Sequence, residues 1–422
     1  MARVEDRRRG VRMGEGRGFD EGRFVGRQVR VIRARRGISQ QVLADRIGVS
    51  RGAIAKYENG ERPVDSRKVL YALAQALGVT VGDLTGQEQD RLDPSAQGFH
   101  ASTPAVEIAL WTRGNTTATA DPRTLRELAA MTVKAAALRH ACDYASLGPI
   151  LAPMLNDCYR HIRDGTEGDR ENAWDVLAAA AYTTAAALKA RGYTALAWTA
   201  MQEVERAADQ SDGTAALAAA GFTRSQILLS RPDSLPAALE YAQQAASRLE
   251  PQVRTVGEVE MYGMLHLQSA LVSAALGGDP AAHLAEATEQ ARRLASTPTG
   301  GSLVRNVTFG PENVGLWEMS VAMERRESGK VLGLAAGLDP ESITVHGRRA
   351  QYFVEIGRAH ALDRDYTRSL HALLRAEHLA PQQVRTMTVV RELVGHMMRK
   401  ARRDLTAGDL GRFAKRCGVS PA

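Results

Sequence analysis

The residues best able to do chemistry lie between positions 39 and 62, and they are hydrogen-bonding groups rather than nucleophiles. Ser39 precedes the run Gln40–Ile47, and Ser50 precedes Arg51–Glu58. Each serine can accept a bond from an otherwise orphaned N–H of the helix it opens. Gly48 and Val49 supply a turn between the two runs, and Asn59-Gly60 ends the second. Helix, three-residue turn and helix make a rigid pair. One member of such a pair fits the major groove of double-stranded DNA, where every base pair shows a distinct donor and acceptor pattern. The other crosses the backbone, where helix N–H groups and a short polar side chain can hold a phosphate.

Other chemistries find little support. No HExxH, phosphate loop or GxSxG occurs, so neither an enzyme nor a bound cofactor is expected. His360, His371 and His378 surround one helical pair, but 371 and 378 are two turns apart, so no metal site is expected there. Cys142, Cys158 and Cys417 form no CxxC pair, which argues against a disulfide framework and a structural zinc. No run approaches the ~18 apolar residues of a membrane span. The Arg-rich start has no apolar segment behind it, so a cytoplasmic protein without membrane contact is expected.

Charge points to the same region. Residues 1–23 carry seven arginines against five acids, and residues 24–86 carry eleven lysines and arginines against five acids. The whole chain is only +7, so the remaining residues are close to neutral. A polyanionic partner would be bound by the first fifth of the chain.

The elements that must position these groups follow from apolar spacing. Residues 1–23 mix Arg, Gly and acids without a period and read as a disordered basic arm. Residues 24–86 read as five short helices. Val25, Val29 and Ile32 face inward on the first; Leu43, Ala44 and Ile47 on the second; Ile54 and Tyr57 on the third. The fourth runs to Leu77 from a cap at Asp65 or Ser66, and Val81 and Leu84 make a final turn. Residues 87–120 read as a linker whose apolar island at 106–111 would dock on a neighbouring domain. From 121 to 404 the chain is helix after helix, and 405–422 reads as a tail. Ala350–Gln383 spaces Gly357, Tyr366, Leu373, Ala376 and Pro381 as a 34-residue tetratricopeptide repeat does, with weaker copies at 191–209, 235–251 and 280–295. An all-α protein ending in an α-solenoid is expected, with a plain helical bundle as the alternative.

The first domain resembles the phage-repressor (XRE, Cro-like) helix-turn-helix family. GISQ at 37–40, LA at 43–44, GVS at 48–50, I-x-x-YENG at 54–60 and L-x-x-LAQALGV at 70–79 carry the likeness. It implies a lambda-repressor-like fold and DNA-contacting positions for eight residues. Gln40 would bind a phosphate and brace the recognition helix, and Ser50 would cap that helix. Arg51, Gly52 and Lys56 would occupy its base-reading positions, while Asn59, Gly60 and Arg62 follow where phosphates are gripped. Arg33 and Glu58 match a structural ion pair. Gly52 departs from the family's usual Gln, Arg or Thr and cannot read a base by hydrogen bond.

The stretches FGPENVGLWEMSVAMERRESG (309–329) and AEHLAPQQVRTMTVVRELVGHMM (376–398) resemble actinobacterial helix-turn-helix regulators with a degenerate tetratricopeptide domain. The layout is similar, more distantly, to peptide-responsive regulators. That likeness makes Asn306 and Asn313 candidates for holding an effector's backbone, against their reading as loop or cap residues. Trp317 and Tyr352 read as core. These resemblances imply a transcriptional regulator that binds a pseudo-palindromic operator as a homodimer, its half-sites one helical turn (~34 Å) apart. The repeat domain would serve dimerisation, sensing of a peptide or small molecule, or both. The alternative is a tetratricopeptide interaction adaptor that its N-terminal domain localises to DNA.

Overall fold

The computed structural model describes residues 25–64, 66–79, 81–85, 97–115, 121–211, 213–229, 234–296, 308–400 and 408–419. The basic arm and Asn306 lie outside the described residues, as does Asp65. The fold is all-α: a helix-turn-helix domain followed by an array of helical hairpins.

Five helices make the N-terminal head: α1 (Val25–Arg35), α2 (Gln40–Ile47), α3 (Arg51–Glu58), α4 (Arg67–Ala76) and α5 (Val81–Thr85). Their starts are set by caps. Ser39 Oγ accepts the Val42 N–H at 3.1 Å, and Ser50 Oγ accepts the Ala53 N–H at 3.2 Å. Between α2 and α3 the chain turns through Gly48 at φ +67°, a left-handed conformation that glycine adopts without steric cost. Ser66 sits at the N-cap of α4 but makes no side-chain cap bond.

The remaining helices are α6 (Gln97–Thr112), α7 (Leu125–His140), α8 (Tyr144–Asp164), α9 (Glu167–Ala190), α10 (Thr194–Ala208), α11 (Thr214–Leu228) and α12 (Leu235–Leu249). They continue with α13 (Val256–Leu276), α14 (Ala281–Arg293), α15 (Pro311–Glu324), α16 (Ser328–Ala336), α17 (His346–Leu362), α18 (Tyr366–Leu379), α19 (Pro381–Val384), α20 (Thr388–Lys400) and α21 (Asp409–Arg416). From α9 to α18 consecutive helices pair as hairpins. Small residues allow close approach: a Cβ at Gly221 would lie 2.5 Å from the Ala245 methyl, and one at Gly357 would lie 3.0 Å from Leu373.

Two expectations need correction. The apolar island at 106–111 does dock, through Val106, Ala109 and Leu110, but it belongs to a whole helix, α6, which also buries Phe99 and packs on α8, so 97–112 is no linker. The tail at 405–422 contains α21, which buries Leu410, Phe413 and Ala414, with Cys417 buried just after it. Both segments belong to the main core.

The head is not a separate bead. Its core residues Leu43, Ile54, Leu73 and Leu77 share one apolar cluster with Leu235 and Ala238 of α12 and with Val272 and Ala275 of α13. On the far side α20 holds it at two points. Glu392 accepts the Val25 N–H at 2.6 Å, and the Gly60 carbonyl accepts bonds from His396 Nδ1 and Arg399 Nε, both at 3.3 Å. Glu392, His396 and Arg399 lie one turn apart along a single face of α20.

Candidate nucleic-acid interface

Glu58, at the C-terminal end of α3, organises the site. Its side chain is 1% exposed. One carboxylate oxygen accepts Arg33 Nε at 2.5 Å, and the other accepts Arg33 Nη2 at 2.9 Å and Gln40 Nε2 at 2.8 Å. The bidentate fork fixes α1 against α3, and Gln40 adds α2 to the same node. Arg33 also donates to the Ile38 carbonyl at 2.7 Å, and the Glu58 carboxylate raises its already high pKa. The orientation of α3 is therefore set by a charged, almost water-free joint.

The outer face of α3 is the opposite in character. Arg51, Gly52 and Lys56 are exposed, as is Asn59 just beyond. A Cβ added at Gly52 would meet only Ser50 Oγ, at 3.9 Å, so neither space nor backbone demands a glycine there. Arg62 is half-buried, its guanidinium over the Tyr57 ring at 5.3 Å. Not every positive charge of the head is on offer. Arg36 caps the Gly78 carbonyl and Arg46 the Ala76 carbonyl, each at 3.1 Å. Arg27, Arg30 and Arg35 of α1 are exposed as well.

Residues 25–85 match the family of helix-turn-helix domains. The N-terminal unit is a helix-turn-helix domain. A propionyl-CoA carboxylase regulator of Cereibacter sphaeroides is 41% identical over 69 residues, which is 16% of this chain and 15% of that protein. The chain thus covers less than a sixth of that relative's length, and the likeness is confined to a stretch of domain size. Among solved structures, the Bacillus thuringiensis PlcR complex with the peptide PapR7 and DNA overlaps 65% of this chain and 96% of that chain. It does so at 12% identity and a TM-score of 0.28, too loose for any argument about this protein.

Within the helix-turn-helix domain the structure brings Gln40, Glu58 and Arg33 together and leaves Arg51, Gly52, Lys56 and Asn59 facing solvent. Gln40 has one amide N–H committed to Glu58. Gly60 is buried under α20, with φ +67° and no room for a Cβ beside the Arg399 side chain. Sequence reasoning missed this contact. The Gly60 carbonyl is an acceptor, so His396 donates from Nδ1 and its Nε2 accepts the Tyr366 hydroxyl at 3.2 Å. The segment after α3 is thereby tied to α18 of the hairpin array. Of the two candidate effector asparagines, Asn306 lies outside the described residues. Asn313 is buried in the first turn of α15, its amide donating to Met264 Sδ at 3.3 Å, where a peptide would not reach it without rearrangement. Trp317 and Tyr352 are both buried, and the Tyr352 hydroxyl donates to the Ala335 carbonyl at 2.9 Å. Among the described residues no group of three metal-ligating side chains occurs and no helix is long and apolar enough to cross a membrane.

Proposed function

We propose that this protein is a sequence-specific DNA-binding transcriptional regulator whose hairpin array controls the head. The observation that carries the reading is α3: a capped helix with Arg51 and Lys56 exposed on one side and a buried ion-pair joint behind it, inside a helix-turn-helix domain. Arg51 is the candidate for a bidentate guanine contact, and Lys56 flanks it across a side-chain-free Gly52. Ser50 and Asn59 contact the backbone, Arg62 grips a phosphate, and Gln40 braces α3 while offering its remaining N–H to a phosphate. The missing side chain at Gly52 shifts part of the discrimination to DNA shape.

A single head offers too small a footprint for tight operator binding, so the working species is a homodimer on a pseudo-palindromic site. Ile108 and Trp111, one turn apart on α6 and 52% and 67% exposed, give the array an apolar surface that such pairing could cover. The repeats are of the tetratricopeptide kind, supported by the Gly357–Leu373 approach and by Pro381 just beyond α18. The protein acts inside the cell, where its DNA is.

Selection of binding sites from a random double-stranded pool by the purified full chain tests the reading. An enriched two-fold motif protected in footprinting supports it. Enrichment of nothing, with binding that only tracks salt, would favour an adaptor that DNA merely localises.

A further inference from the structure

A cavity of about 530 Å³ lies between the head and the hairpin array. Val64, Leu70 and Tyr71 of the head form one part of its wall, and Thr388 and Val389, at the start of α20, form another. The volume is that of a metabolite-sized binding site. Its charge is one-sided. Arg139, Lys189, Arg348 and Arg358 reach the wall, against one acid, Glu324. Arg358 is matched by Glu355 at 2.7 Å and lies 3.9 Å from Glu324, and Lys189 donates to Gln226 at 3.0 Å. Arg139 and Arg348 have no carboxylate partner among the described residues. Arg139 donates to His140 Nε2 at 2.5 Å and leans over Tyr182, and Arg348 stacks over Trp317 with its centre 5.7 Å from the ring. Both guanidinium groups line the same wall. Burial, then the Arg139 charge, lowers Arg348 to about 10, and burial with both arginines lowers His140 to about 4. The Trp317 indole N–H and the Gln268 carbonyl oxygen, both on buried side chains of the same wall, also have no hydrogen-bond partner among the described residues.

Two like charges lining one cavity without a carboxylate partner, beside unused hydrogen-bonding groups, are costly unless something negative joins them. We propose that this cavity binds a small molecule carrying a carboxylate or phosphate group, with Arg139 and Arg348 as its charge partners. The ligand would touch the head directly through Val64, Leu70 and Tyr71. It would also touch the start of α20, whose far end holds the Gly60 carbonyl next to the recognition helix. Occupancy therefore bears on how the head is held. That coupling rests on the DNA-binding reading above, whereas the site itself does not.

The test is thermal unfolding of the full chain, without DNA, in millimolar citrate and separately in millimolar pyrophosphate, at ionic strength matched with sodium chloride. A saturable rise of a few degrees with citrate marks a carboxylate site, and one with pyrophosphate a phosphate site. Arg348→Met and Arg139→Met should each raise the melting temperature of the anion-free protein, since each removes an uncompensated charge. Each should also weaken the anion about thirtyfold or more in calorimetric titration. The proposal falls if neither anion exceeds chloride, if the variants bind the anion as the parent does, or if both variants melt lower without anion. The last result would make the arginines structural. Because no DNA is present, failure here leaves the regulator reading standing.

Discussion

Replacing either member of the Arg33–Glu58 pair should loosen the head, and the two replacements should differ in size. Arg33→Met leaves Glu58 at 1% exposure with Gln40 as its remaining charge-stabilising donor. A buried carboxylate stripped of its partner costs about 3–5 kcal/mol. Glu58→Leu leaves the Arg33 side chain at 15% exposure, still bonded to the Ile38 carbonyl, so water and that carbonyl recover part of the loss. About 2–3 kcal/mol is expected there, below the about 3–5 kcal/mol of a fully buried broken pair. The double variant replaces both charges with apolar groups of similar bulk and should fall within about 1 kcal/mol of the parent. Hydrogen exchange of the full chain, read on peptides from 25–62 with peptides from α17 and α18 as an internal reference, reports each value. Exchange should accelerate about thirty- to 150-fold for Glu58→Leu, and about 150-fold to a few thousandfold for Arg33→Met, since about 1.4 kcal/mol is a factor of ten. A double variant as loose as the two single losses added together would refute the coupling. A Glu58 variant looser than the Arg33 variant would refute the burial argument.

On DNA, Arg51→Ala should relax preference at one base position per half-site, while Arg62→Ala should weaken all sequences alike. Equal loss of specific and random binding for Arg51→Ala, in titrations at fixed salt, would remove Arg51 from base reading. Gly52→Ala should stabilise the head by up to about 1 kcal/mol, since its Cβ meets open space and alanine is the better helix former. An altered selected motif in the same variant would show that the missing side chain matters to the operator. Stability should fall with acid in a defined window. His140 and His266 are each lowered from 6.5 to about 4, chiefly by burial, so the folded state keeps them neutral. Below about 6.5 the unfolded chain takes up protons that the folded chain refuses. The stabilisation is therefore complete above that pH and is lost as pH falls toward about 4, and a melting temperature flat across the range would contradict this.

The head was legible because its signals are local. Ser39, Ser50 and Gly48 act within one turn of where they stand, and Leu43, Ile54 and Leu77 follow the helical period. Only the apolar island of α6 is legible in the sequence, because the rest of the helix argues against itself. Pro104 stands inside it, and Ser102, Thr103 and Thr112 bond back to carbonyls four residues earlier. Burial of Phe99, Val106 and Leu110 overrides that weak propensity. Helix α21 is only eight residues long, and its apolar face makes sense only against a distant core. The Gly60–His396 contact and the shared cavity wall of Arg139 and Arg348 bring together residues remote in sequence, and a pattern with a local period carries no trace of them.

The apolar cluster that Leu73 and Leu77 share with Val272 and Ala275 limits how far this architecture can be treated as interchangeable parts. Where a reading head hangs from a tether, one head can be exchanged for another and specificity reprogrammed with little penalty. Here a transplanted head would also need surfaces that fit α12, α13 and α20. If α3 reads DNA as proposed, a change of operator would then come more easily by substitution on its outer face than by swapping the whole domain.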